Sequence, residues 1–132
     1  YSNLWTFVYN ENTNLFTSKK LTEGTSYYSM PVLSPDGTEI ALVHNNNIFK
    51  MNVNGASLKQ LTFLSSVCYC PTWSPDGTEI AFVAGSSLAK VFTDGGTPSI
   101  FENTAVGDQT SWESNLEIIY CPLRGFRASS SV

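Results

Sequence analysis

Few residues in this chain have the type and spacing to do chemistry. Histidine occurs once, as His44, which excludes a metal or acid–base site built from several imidazoles within one chain. A Ser-His-Asp triad would have to recruit that histidine from the turn after a strand, where a solvated side chain is the expected role. Asp36 and Asp76 recur at the same place in two copies of one octapeptide, and recurring carboxylates invite a metal or acid–base reading. However, Asp at the third position of a tight turn hydrogen-bonds its own backbone, and that role accounts for both. Cys68, Cys70 and Cys121 form an odd set. C-x-C with one distant cysteine is not a zinc spacing. Two residues apart on a strand, Cys68 and Cys70 are expected on one face and too splayed to pair comfortably. Buried thiols, or one disulfide to Cys121 across a sheet interface, are the two readings left. G-x-S-x-G, a Gly-rich phosphate loop and H-E-x-x-H are all missing from the sequence, so nucleophile elbows, nucleotide cradles and zincin sites lack their marks. No catalytic residue, metal or cofactor is expected.

The elements that would position such residues follow from composition and repetition. The chain has 132 residues, 42% of them apolar and 14% charged, with a formal charge of -4. That is globular composition on one domain's worth of chain. An acidic balance gives no electrostatic footprint for nucleic acid or an anionic membrane. No apolar run approaches the roughly 18 residues of a spanning helix, and the first residues do not read as a signal peptide. A soluble chain with no membrane insertion, any targeting segment already removed, is the expectation. With little charge, solubility rests on abundant Ser, Thr and Asn, which suits exposed β-surface.

The octet at residues 34–41, SPDGTEIA, recurs unchanged at residues 74–81, a period of 40. Sliding the chain by that period keeps Pro31 on Pro71, Val43 on Val83, Lys50 on Lys90 and Gly55 on Gly95, so the repeat is a structural unit. Within it, Ser34-Pro35-Asp36-Gly37 and Ser74-Pro75-Asp76-Gly77 predict type I turns, with Pro supplying the preset φ and Gly the position where positive φ costs little. Residues 40–43 and 80–83 are continuously apolar and bounded by turn residues, which predicts a strand buried on both faces. A turn at residues 44–47 or 84–87 leads to a third strand. Asn54-Gly55 and Asp94-Gly95 then predict a type I′ hairpin to a fourth strand ending at Leu61-Thr62 or Ile100-Phe101. Four antiparallel strands per unit, no helical periodicity and a period of this size describe β-propeller blades.

These motifs carry a resemblance. The run W/L-S-P-D-G-T-E-I-A-F/L-V, followed by a strand and a Leu-Thr ending, is similar to the TolB-type relative of the WD repeat. That repeat occurs in the periplasmic protein TolB, in the propellers of prolyl oligopeptidase-like enzymes and in other extracytoplasmic proteins. The resemblance spans residues 3 to 120, with two full copies of the motif. It implies an all-β propeller fold, a periplasmic or secreted location, and most simply a non-catalytic scaffold for protein–protein interaction. A gating propeller of a prolyl oligopeptidase-like hydrolase and a carbohydrate-binding propeller are the alternatives. Fold alone does not choose among them.

The units divide as residues 1–22, the outer strands of a split blade; 23–62 and 63–102, two complete blades; 103–123, the inner strands of a split blade; and 124–132, a flexible tail. Residues 3–9 align with the third strand at residues 47–53, and residues 112–120 echo 73–82 with one residue deleted. About three blades per chain is fewer than the roughly four to eight that close a propeller. The chain is thus expected to be part of a longer propeller, or half of a six-bladed ring completed by a homodimer. Repeated strand aromatics are expected in blade-to-blade packing. Tyr27, Tyr28 and Phe63, in the links between blades, are the expected partner-binding residues.

Overall fold

The computed structural model describes residues 2–102, 104, 106–114 and 117–122, with 108, 109, 121 and 122 by backbone alone. The tail expected at residues 124–132 lies outside the described residues. Among the described residues, twelve strands follow one another: β1 (Trp5–Asn10), β2 (Leu15–Lys20), β3 (Tyr28–Leu33), β4 (Glu39–His44), β5 (Asn47–Asn52), β6 (Lys59–Gln60), β7 (Cys68–Trp73), β8 (Glu79–Ala84), β9 (Ser87–Phe92), β10 (Ser99–Phe101), β11 (Val106–Ser114) and β12 (Glu117–Pro122). They form two four-stranded antiparallel sheets, β3-β4-β5-β6 and β7-β8-β9-β10, flanked by the two-stranded sheets β1-β2 and β11-β12. The fold is all-β, a run of propeller blades with a partial blade at either side.

The continuous apolar runs are buried on both faces. Residues 40 to 43 are all buried, and so are residues 80 to 83. Strand alternation sends Ile40 and Leu42 into a cluster with Leu4, Phe49 and Met51. Their neighbours Ala41 and Val43 join Ile80, Phe82, Trp73 and Val91 in the cluster on the other side. Val83 and Leu88 meet Val106 beside Ile118 and Tyr120 in a third. Each complete blade is therefore a sheet between two apolar layers, which is why its second strand shows no polar alternation.

Turn chemistry matches the repeat at one hairpin and departs from it at another. Gly37 N–H donates to Ser34 O, and Gly77 N–H to Ser74 O, each at 2.9 Å, with φ of +74° and +73° at the glycines. At Asn54-Gly55 the glycine alone has positive φ, +92°, and its N–H bonds Asn52 O at 2.8 Å. This is a turn closed one residue earlier, not the expected type I′. The hairpin with positive φ at both central residues is Asn45-Asn46, at +47° and +61°, between the last paired residues His44 and Asn47.

A clasp recurs where each fourth strand returns to the third. Ile48 N–H donates to Thr62 Oγ1 at 2.9 Å, while the Thr62 hydroxyl donates to Asn47 Oδ1 at 2.8 Å. Leu4 N–H, Thr22 and Asn3 repeat it at 2.9 and 3.1 Å. Leu88 N–H donates to Thr104 Oγ1 at 2.7 Å. These hydroxyls satisfy backbone donors that burial would otherwise leave unpaired.

Candidate functional site

The two ends of the sheets offer different surfaces. At the Ser-Pro-Asp-Gly end, a groove of about 350 Å³ runs between neighbouring blades past Asp36, Glu39, Trp73 and Asp76. Its aspartates are committed to their own turns. Asp36 Oδ1 accepts from the Ser34 hydroxyl at 2.7 Å, from Thr38 N–H at 3.0 Å and from the Thr38 hydroxyl at 2.8 Å. Asp76 repeats all three bonds with Ser74 and Thr78. The serine hydroxyl bonds first, then the threonine donors, hold both carboxyls below the usual range. A carboxylate stabilised in its charged form by local donors serves the turn, and it is a poor general acid. Among the described residues, no three His, Cys, Asp or Glu side chains stand together as metal ligands.

The opposite end carries the residues picked from the links. Tyr27 is 65% and Phe63 79% exposed. Tyr28 differs: its ring stacks on His44 at 4.4 Å with 10° between planes, and it packs beside the Leu4–Leu42 cluster. The structure brings Tyr27 to a groove of about 410 Å³, whose wall includes Met30, Asn45, Asn46, Val67 and Tyr69. Phe63 stands on the next link at the same end, outside that groove.

His44 is not the solvated turn residue expected. It ends β4, is buried, and lies edge-on to Phe49 at 5.0 Å. Its Nδ1 stands 3.1 Å from Tyr27 O. A carbonyl can only accept, so Nδ1 carries a proton, and the ring buttresses the backbone beneath Tyr27.

The expected common face of Cys68 and Cys70 is broken by a β-bulge. Between the pairs Tyr69–Val83 and Thr72–Ala81, β7 has two residues opposite one, and Cys70 adopts φ +52°. Cys68 is buried in the cluster with Ile80 and Phe82, whereas Cys70 packs against the one with Val83 and Leu88. Burial pushes the Cys68 thiol up, which keeps it protonated and unreactive. The side chain of Cys121 lies outside the described residues, and the disulfide reading lies there with it. Met30, with φ +51°, makes the same bulge in β3. The two are linked: Cys70 N–H reaches Met30 Sδ at 3.2 Å, and the Thr110 hydroxyl donates to Cys70 O at 2.8 Å. Pro31 and Pro71 follow the bulged residues. Proline in a strand is confined to edges and bulges, so it was the signal that could have located both.

Comparison with solved structures places this architecture. A TolB from Agrobacterium tumefaciens aligns with a TM-score of 0.59 at 20% identity, over 77% of this chain and 40% of its own. The β-propeller domain of Cps50 (Swd1) from Myceliophteria thermophila aligns at 0.61 and 15% identity, over 91% of this chain and 42% of its own. KlHsv2, with its loop 6CD replaced by a Gly-Ser linker, aligns at 0.52 and 19% identity, over 70% of this chain and 36% of its own. The chain thus spans about two fifths of each solved propeller. No family model and no curated protein sequence matches it. The likeness shows the fold, a β-propeller.

Proposed function

We propose that this propeller chain is a non-catalytic scaffold that binds protein partners through the end bearing the blade-to-blade links. The observation that carries the reading is the pairing of exposed aromatics with a rigid base. Tyr27 and Phe63 are exposed, while Tyr28 stacks on His44 and the His44 ring holds the Tyr27 carbonyl. Aromatic anchors on a rigid frame bind with little ordering cost. The adjoining groove, with Asn45 and Asn46 amides beside Met30 and Val67, suits a short peptide segment bearing an apolar residue and backbone amides. The repeat's resemblance to TolB supports a periplasmic or secreted location. A second copy of the chain is a partner too, completing a six-bladed ring.

The test uses the Tyr27→Ser and Phe63→Ser variants together. Both side chains are exposed, so thermal unfolding should match the parent. A protein captured by the parent from an extracytoplasmic fraction should be lost by the double variant. Equal capture by both, with equal unfolding, contradicts the reading. Turnover of a peptide or glycan substrate by the purified chain would contradict its non-catalytic part.

A further inference from the structure

At the link end, the junction between the two complete blades and the junction between the second of them and β11 are built alike, but only the latter is filled. Ser29 pairs with Val43 as Tyr69 pairs with Val83, so Ser29 and Tyr69 hold equivalent places on β3 and β7. Directly opposed residues project to the same face, and here that face is the one toward the following sheet. Val43 joins the cluster with Ile80 and Phe82, and Val83 the cluster with Val106. The following strands align as well. Cys68 N–H donates to Asn46 O at 2.8 Å, and Val106 N–H to Ser86 O at 2.7 Å. Across the gap, the backbone of Tyr69 at the first junction therefore stands where that of Gly107 stands at the second.

At the second junction a phenol bridges the sheets. The Tyr69 hydroxyl stands 3.0 Å from Gly85 O, in the turn of its own blade, and 3.3 Å from Gly107 O, on β11. At the first junction a serine has the tyrosine's place, and the space is the groove of about 410 Å³ whose lining includes Ser29, Val43, Asn45, Asn46 and Tyr69. The carbonyls that correspond to those of Gly85 and Gly107 belong to Asn45 and Tyr69. The Asn45 side chain is turned away to His44, its Nδ2 standing 3.2 Å from Nε2. Its carbonyl accepts from the Asn47 amide at 3.4 Å, which leaves a second lone pair.

We propose that this groove takes a tyrosine side chain of a partner protein, its ring lying against Val43 and its hydroxyl donating to the carbonyls of Asn45 and Tyr69. The second junction is the template, since there the chain's own tyrosine makes both contacts. Charge selects the occupant further. Among the described residues, none that lines the groove is charged, so a phosphotyrosine or an ionised side chain finds no counter-charge there. Carbonyls only accept, so a phenylalanine offers them no donor. The proposal rests on the reading that this end binds protein partners, and it adds the side chain that the groove reads.

The probe is N-acetyl-tyrosinamide, titrated into the labelled chain and followed by amide NMR shifts. In the parent the signals of Asn45 and Asn46 should move. Ser29→Tyr fills the groove from within, as Tyr69 fills the next junction, so those signals should stay still while thermal unfolding is no lower than in the parent. N-acetyl-phenylalaninamide should bind roughly tenfold more weakly, the effect of one hydrogen bond lost, and the O-phosphorylated probe should cause no shift. Tyr69→Ser empties the second junction and should add shifts at Gly85 and Ser86. Parent signals that do not move at millimolar probe, or an equal response from folded Ser29→Tyr, overturn the proposal. The partner reading is judged apart from it, by capture with the Tyr27→Ser and Phe63→Ser double variant.

Discussion

β9 and β1 share the threonine clasp, Leu88 and Leu4 each donating an N–H to it, yet positions counted from it have opposite fates. Ala89 and Val91 are buried between their own sheet and the one before it. Trp5 and Phe7, at the corresponding places in β1, are 54% and 72% exposed. The larger side chains are in water and the smaller ones in the core, so burial here follows neighbours and not residue type. A blade is apolar on both faces and is finished only when a sheet lies against each. The complete blades have this on both sides. β1–β2 has it on one side, where Leu4 meets Leu42 and Met51.

Substitutions sharpen that contrast. Phe82 is fully buried in the central cluster, and Phe82→Ala should cost about 3–5 kcal/mol in urea unfolding. Phe7→Ala, measured at a dilution where the chain is monomeric, should stay within about 0.5 kcal/mol. Equal costs would break the comparison. Gly55 sits where the complete blade touches the partial one. A Cβ there would lie 2.6 Å from Leu21 O at φ +92°, so Gly55→Ala should cost roughly 1–3 kcal/mol, read from the unfolding midpoint. The clasp comes next. Thr62→Val orphans the buried Ile48 N–H and should cost about 1–2 kcal/mol, with Thr22→Val, in the less enclosed copy, costing less.

The smallest effect belongs to the turns, which only the complete blades carry in full. The folded carboxyls of Asp36 and Asp76 sit below their ordinary value. Their contribution is therefore present above the unfolded pKa, about 3.9, and is lost as pH falls through the lowered folded value. The parent should lose stability in acid, and a D36N/D76N variant should show a flatter profile below about pH 4. Parallel profiles would show that the turns do not depend on charge.

Much of this architecture can be read from residues alone. The repeated octet locates the type I turns, and the unbroken apolar runs at residues 40–43 and 80–83 announce two-sided burial. What cannot be read depends on contacts between units. Pro31 and Pro71 mark the bulges, but not that Met30 and Cys70 take positive φ there or that cross-blade bonds reach Met30 Sδ and Cys70 O. His44 looks like a turn residue until Tyr28 stacks on it. The type I′ turn falls at Asn45-Asn46, where strand register leaves two residues, and not at the stronger local signal Asn54-Gly55. The clasp threonines were within reach, since Leu-Thr recurs at residues 21–22 and 61–62, but their partners Asn3 and Asn47 are distant along the chain. At the link end, Tyr27 and Phe63 stand exposed while Tyr28 has turned inward, a difference that adjacent tyrosines do not show in sequence.

On the proposed reading, a second copy of the chain completes the ring. Sedimentation velocity of the parent chain, from about one to one hundred micromolar, tests it most directly. A compact species at twice the 14.5 kDa chain mass, dissociating on dilution, is expected. A folded species that stays at 14.5 kDa across the whole range would contradict it.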